Sequence, residues 1–186
     1  MMISGLTYIP SVIPNHEASM LLKHIDSNKW RNDLKRRVQH YGYVYDYRRR
    51  TVTPDMQLGN LPAWSAPLID LLEEHPAFNL HADQMIVNEY IPGQGIAHHI
   101  DCEPCFDGVI ASFSLNSTCV MSFIHVETKT EKQILLEPNS LLIMSGEARY
   151  DWKHGIPARK NDTYDGKRYQ RGRRVSVTFR KVIISI

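Results

Sequence analysis

The chain has few of the features that settle a protein's class at a glance, and each shortage removes a possibility. Three cysteines in 186 residues, Cys102, Cys105 and Cys119, exclude a small secreted scaffold framed by disulfides. The C-x-x-C formed by Cys102 and Cys105 has no second pair to complete a four-ligand zinc site, so both read as ordinary loop thiols open to oxidation. No stretch reaches the roughly 18 apolar residues of a membrane span. The opening "MMISGLTYIP" lacks the basic start and long apolar core of a secretion signal. A cytoplasmic monomer without membrane contact is therefore expected. There is no H-E-x-x-H helix and no H-x-E followed by P-C-x-x-C, which removes the common zinc proteases and base deaminases. "PGQG" at 92–95 has neither the lysine of a phosphate-binding loop nor the third glycine of a dinucleotide fingerprint, and reads as a tight turn. Repeats and low-complexity tracts are missing too, so one domain over 1–186 is the expectation.

What is present is unevenly spread. The net charge is only +2, yet residues 29–50 hold eight basic residues (Lys29, Arg31, Lys35, Arg36, Arg37, Arg48, Arg49 and Arg50) against Asp33 and Asp46, a local charge of +6. In the same segment Tyr41, Tyr43, Tyr45 and Tyr47 alternate, which on a strand would line up four rings. Rings beside cations suit unstacked bases and their phosphates, so Tyr43, Arg48, Arg49 and Arg50 are candidate substrate contacts. A packed tyrosine face with a solvated arginine edge is the plainer alternative.

Hydrophobic periodicity predicts a helix capped by Asn15 and running to about Asp26, with Ala18, Leu21, Leu22 and Ile25 inward. A strand is expected over Tyr41 to Tyr47, and a second helix from about Ala63 to Glu74, ended by Pro76. From residue 84 onward seven short strand-like runs are separated by Gly, Pro and Asn turns. The fold class is thus mainly β with flanking helices, as an antiparallel sandwich or jelly roll. Residues 1–80 would supply helical support and substrate recognition, and 81–186 the catalytic β core.

Two constellations carry chemistry. In "AHHID", His99 and Asp101 leave the same face of an extended strand, where one ion can bind both. His154 in "DWKHGI" would complete two nitrogens and one oxygen, with positions left open for substrate and dioxygen as in non-haem Fe(II) oxygenases. His98 must then point the other way, in a structural role. In "RRVSVTFR", Arg174, Ser176, Thr178 and Arg180 alternate with Val175, Val177 and Phe179. The two arginines stand about 20 Å apart along a strand, and guanidinium forks bind carboxylates in pairs, so a dicarboxylic acid is the natural occupant. Zinc would accept the same three ligands, but a hydrolase has no use for a dicarboxylate clamp. A second H-x-D, His81 and Asp83, lacks a distal partner and apolar walls, and is set aside.

The segments "NEYIPGQGIAHHID", "SLLIMSGEARYDWKHGI" and "GRRVSVTFRKV", with "LKRRVQHYGY" upstream, resemble the AlkB family of Fe(II)- and 2-oxoglutarate-dependent dioxygenases. The resemblance implies a double-stranded β-helix, with Fe(II) on His99, Asp101 and His154 and dioxygen as co-reactant. It implies 2-oxoglutarate held by Asn88, Tyr90, Arg174 and Arg180, with Ser176 where many members carry Asn. Glu103 and Arg149 match family positions near the substrate; alternatively Glu103 is a solvated acid and Arg149 pairs with Glu147. The implied substrate is an alkylated base in single-stranded DNA or RNA, or in tRNA. "VQHYGY", "DQM", "PGQGI" and "SGEARYDWKHGI" are similar to the members that hydroxylate a modified wobble uridine of tRNA. Hydroxylation of a protein or small molecule, or nucleic-acid binding by an inactive site, are the rival readings.

Overall fold

The computed structural model describes residues 3–32, 34–78 and 81–184. In chain order it contains β1 (Leu6–Ile9), α1 (Asn15–Ser27), β2 (Val38–Tyr41), α2 (Ala66–Glu73), β3 (Gln84–Tyr90), β4 (Ile96–His99), β5 (Ile110–Leu115) and β6 (Cys119–His125). Then follow β7 (Glu131–Leu136), β8 (Ser140–Met144), α3 (Gly146–Tyr150), β9 (Trp152–Ile156), β10 (Asn161–Tyr164), β11 (Lys167–Gln170) and β12 (Arg174–Arg180). Six strands form one sheet in the order β1-β8-β5-β12-β3-β2, four form a second in the order β4-β9-β6-β7, and β10-β11 is a separate ribbon. All the strand pairs are antiparallel. The expected jelly roll is there, with a funnel between the two main sheets.

Strand alternation sorts the side chains between two cores. Val175, Val177 and Phe179 of β12 and Met85 and Val87 of β3 join Leu21, Ile25, Leu68 and Leu72 in a cluster where α1 and α2 cover the outside of the larger sheet. The opposite face of that sheet meets Met121 and Phe123 of the smaller sheet in a second cluster with Phe106, Ile110 and Leu142. Arg174, Ser176, Thr178 and Arg180 face this interior, as their two-residue spacing requires, and line its cavity. Each fully buried large apolar side chain contributes roughly 1.5–3 kcal/mol, so the helical cover holds the rigid floor on which the polar residues are set.

Several local expectations are corrected. Asn15 is the first helical residue rather than the cap; Pro14 occupies the cap position, and Asn15 Oδ1 instead accepts from Asn139 Nδ2 at 2.8 Å. The second helix begins with a 3₁₀ turn, Ala63–Ser65, before α2. The N-terminal part is more than helical support, because β1 and β2 form the two edges of the larger sheet. The strand expected over Tyr41 to Tyr47 instead lies at Val38–Tyr41 and stops at Gly42, whose φ is +74°. Past this bend the four rings scatter: Tyr41 packs edge-on against Trp64, while Tyr45 packs against Tyr47 and Phe106.

Gly42 has two reasons to be glycine. Its left-handed φ disfavours any side chain, and an added Cβ would run into the backbone carbonyl of Asp83. Gly42→Ala is expected to destabilise by about 1–3 kcal/mol, read as a shift in the urea midpoint. An unchanged midpoint would mean that the arm after β2 adds nothing to the folded state.

Candidate active site

The smaller sheet builds the metal end. His99 and His154 are direct cross-strand partners on β4 and β9, and their ring centroids lie 4.4 Å apart. The pairing of β4 shifts register between Ile96 and His99, and Gly155 permits that irregularity: a Cβ there would press on His98 at 3.0 Å. Asp101 sits just beyond the end of β4 rather than on it. The chain then turns, with Cys105 and Phe106 N–H groups both donating to the Cys102 carbonyl at 3.1 and 3.0 Å. His99, Asp101 and His154 each offer one ligand atom, and these atoms all lie within 4.8 Å of one another. Among the described residues no other group of His, Cys, Asp or Glu is so placed.

The charges around the trio favour a cation. Burial works to raise the Asp101 carboxyl, but the Arg180 guanidinium beside it outweighs this and holds the group well below the usual carboxylate range. Burial, with His99 adding to it, pushes His154 down to about 3, so its ring is neutral at ordinary pH and keeps a lone pair. His99 Nδ1 lies 2.8 Å from the Ala97 carbonyl oxygen, which can only accept, so Nδ1 carries the proton and Nε2 remains free to bind metal. Two neutral imidazole nitrogens and one carboxylate oxygen suit a ferrous ion.

The larger sheet builds the anion end. β12 pairs with β3 so that Arg174 opposes Tyr90, Ser176 opposes Asn88 and Arg180 opposes Gln84. Arg174 is 3% exposed and Arg180 7%, and the Nε of each is buried without a hydrogen-bond acceptor. Arg174 reaches Ser114 Oγ at 2.7 Å through a terminal nitrogen and lies 5.5 Å from the centre of the Tyr90 ring. Arg180 stacks over Phe106 at 4.4 Å, with its Nε 3.7 Å from Asp101. Buried guanidinium donors left unsatisfied are costly, and a dicarboxylate between them would supply the missing acceptors.

A model of the 2OG-Fe(II) oxygenase superfamily matches residues 5–180. The chain belongs to this superfamily. It is 37% identical over 203 residues to an alkylated DNA repair protein ALKBH8 homolog of Arabidopsis thaliana, covering 97% of this chain and 59% of that one. It is 36% identical to the mouse tRNA (carboxymethyluridine(34)-5-O)-methyltransferase ALKBH8, covering 96% of this chain but 30% of the mouse protein. The chain thus spans only part of either relative. The solved structure of OsALKBH1 superimposes with a TM-score of 0.71 at 18% identity, covering 97% of this chain and all of that one, a likeness of fold. Superfamily membership implies Fe(II), 2-oxoglutarate and dioxygen, and the two ends of the pocket have the donors to fit the first two.

Between its two ends the oxygenase encloses a cavity of about 480 Å³, and its outer wall is the arm of residues 34–50. Of the substrate contacts expected there, only Arg50 lines the cavity; Arg48 and Arg49 are exposed, their N–H groups donating to Asp46 Oδ1, and Tyr43 packs beneath the arm. Tyr45, Tyr47, Lys35 and Arg36, of the same basic and tyrosine-rich segment, line it as well. Tyrosine alternation and the basic run were the available signals, but the bend at Gly42 decides which members face inward. Glu103 is exposed and outside the cavity. Arg149 is 2% exposed and does not pair with Glu147: its guanidinium donates to the backbone carbonyls of Asp101 at 3.0 Å and Phe106 at 3.1 Å. It ties down the loop that carries Asp101.

Cys102 and Cys105, expected as loop thiols open to oxidation, are found oxidised. The turn that follows Asp101 brings their Cα atoms to 5.2 Å, and the two sulfurs are bonded to each other. Both lie against the carbonyl oxygen of Arg50, at 3.2 and 3.3 Å. Cys119 is free and buried, which pushes its thiol up. As expected, His98 turns from the trio and contacts Ser122 Oγ at 2.7 Å. His81 lies 3.4 Å from Glu73, and Asp83 accepts from Lys181 and Val182, so the second H-x-D is no metal site. No helix among the described residues is long and apolar enough to cross a membrane.

Proposed function

We propose that this oxygenase oxidises an alkyl group on a nucleic-acid base, with Fe(II) on His99, Asp101 and His154 and 2-oxoglutarate as cosubstrate. The observation that carries the reading is one cavity holding the His-Asp-His trio at one place and two buried arginines with unsatisfied donors beside it. When bound, iron and 2-oxoglutarate would supply the activation of dioxygen and the two-electron oxidation of a C–H bond. The chain's residues do the rest. Arg174 with Tyr90 holds the distal carboxylate, assisted by Ser176, while Arg180 and Asn88 hold the end nearer the metal. Met121, Leu142 and Ile156 keep water from the reacting carbon. Tyr45 and Tyr47 give an extruded base aromatic surfaces to lie against. The two ALKBH8 relatives, one described as acting in alkylated DNA repair and the other on tRNA, support a nucleic acid as substrate. We place the protein in the cytoplasm as a monomer, with residues 1–80 supplying recognition and 81–186 catalysis.

Incubating the ferrous protein and 2-oxoglutarate with methylated oligonucleotides and with bulk tRNA tests this. The expected result is formaldehyde, or a base heavier by one oxygen, on at least one of them. Inertness on both, together with turnover of a small neutral substrate that is indifferent to neutralising Arg48, Arg49 and Arg50, would move the protein to the small-molecule hydroxylases.

A further inference from the structure

The cavity is unbalanced in charge. Among the described residues its charged lining consists of Lys35, Arg36, Arg50, Arg174, Arg180 and one acid, Asp101. If the reading above holds, Arg174 and Arg180 are matched by the two carboxylates of the cosubstrate, and Asp101 is more than matched by a divalent metal. Lys35, Arg36 and Arg50 then remain on the wall where the base must enter, and apart from Asp101 no acid among the described residues lines the cavity with them; Glu103 stands outside.

These three are not equivalent. Lys35 and Arg50 are exposed at the rim, where solvent and salt screen them, whereas Arg36 is half-buried and held. Its Nε donates to Asn88 Oδ1 at 2.8 Å, and its guanidinium lies 5.8 Å from the ring centres of both Tyr47 and Tyr90. Its neighbour fixes the backbone: Arg37 pairs with Glu89 at 2.6 and 2.7 Å, and the Glu89 N–H donates to the Arg37 carbonyl at 3.0 Å. The terminal nitrogens of Arg36 have no acceptor among the described residues. A fixed cation with free donors, between a ring that can receive a base and a residue of the cosubstrate wall, reads the charge of what comes in.

We propose that Arg36 is a specificity-determining residue that turns the site away from cationic alkylated bases and toward uncharged or anionic ones. Alkylation of a pyridine-type ring nitrogen of adenine or cytosine leaves the base positively charged near neutral pH, and such a base would meet like charge on desolvation. Alkylation that leaves the base neutral, or a substituent ending in an anion, meets no such barrier, and an anionic or carbonyl oxygen finds the free guanidinium donors.

The test uses two bases that carry the same methyl on the same ring atom and differ mainly in charge, 3-methylcytosine and 3-methyluracil, each at one position of an otherwise identical oligonucleotide. Wild type, Arg36→Lys, Arg36→Gln and Arg36→Glu are compared by kcat/KM in the iron enzyme. Binding is read by fluorescence anisotropy with Mn(II) and 2-oxoglutarate in the absence of dioxygen. Backbone contacts are common to both oligonucleotides and cancel in the ratio. The expected result is a wild-type preference for 3-methyluracil of at least about tenfold, retained by Arg36→Lys, reduced by Arg36→Gln and narrowed or inverted by Arg36→Glu. Equal or better handling of 3-methylcytosine by wild type, or a ratio untouched by Arg36→Glu, would overturn the inference. If neither base is turned over yet binding shows the charge preference, the inference stands and the proposed reaction falls. Oxidation of both bases without discrimination gives the reverse.

Discussion

Replacing Asp162 by Asn lowers the stability of the protein by about 3–5 kcal/mol, because it removes one partner from a buried ion cluster and leaves the others behind. Asp162 is fully buried on β10 and accepts from Arg171 at 2.7 Å, Arg159 at 2.6 Å and the Val120 N–H at 2.9 Å. Arg171, 6% exposed, also donates to the Pro157 carbonyl at 2.7 Å and to Gln94 at 3.3 Å. One carboxylate thereby fastens the β10-β11 ribbon, the turn at Gln94 and the start of β6. Asparagine keeps the shape but presents an N–H₂ toward donors and leaves Arg171 without its counter-charge. The loss should appear as a fall in melting temperature on the order of 10 °C. Burial alone would raise the Asp162 carboxyl, but Arg171, the Val120 N–H and Arg159 outweigh it and the folded value is depressed. Its contribution is therefore complete above the ordinary carboxylate range and fades as the pH falls through the depressed folded value. The gap between wild type and variant should narrow in acid; a constant gap would mean that the carboxylate charge is not what holds the cluster.

The reach of that cluster across the fold is not legible from spacing, since Asp162 and Val120 are 42 residues apart. What could be read was whatever local period decides. The alternation of β12 sorts Val175, Val177 and Phe179 to the helices and Arg174, Ser176, Thr178 and Arg180 to the cavity by geometry alone, and the apolar stripe of α1 needs no more than 3.6-residue spacing. The trio His99, Asp101 and His154 is legible because two members stand two residues apart and the chemistry demands a third. The tyrosine run failed for the converse reason: alternation predicts a strand, and one glycine fixed by contact with Asp83 ends it. The contacts of Arg149 and Arg36 are not legible locally, because their partners lie 48 and 52 residues away. A basic residue in a basic segment does not announce which of its fellows turns inward.

The last expectation concerns the carboxylate at the metal. Asp101→Asn is nearly isosteric and should leave the loop in place, because Arg149 grips the Asp101 backbone carbonyl and not its side chain. What changes is charge. Asp101 is 8% exposed and is the one acid among the described residues that lines the cavity, with His99 Nε2 3.6 Å and Arg180 Nε 3.7 Å from its oxygens. An amide oxygen is a much poorer ligand for a hard dication, and the cationic Arg180 would then face the metal with nothing between them. Loss of groups that merely orient metal ligands costs about 10–100-fold in affinity, so loss of a charged ligand itself should exceed roughly 100-fold. Anaerobic titration of the metal-free protein with Fe(II) or Mn(II) measures this directly, and oxidation of any substrate should fall with it. Retention of metal affinity within about tenfold would show that the two imidazoles suffice, and the cavity would then have to be read as a binding pocket whose acid serves Arg180 alone.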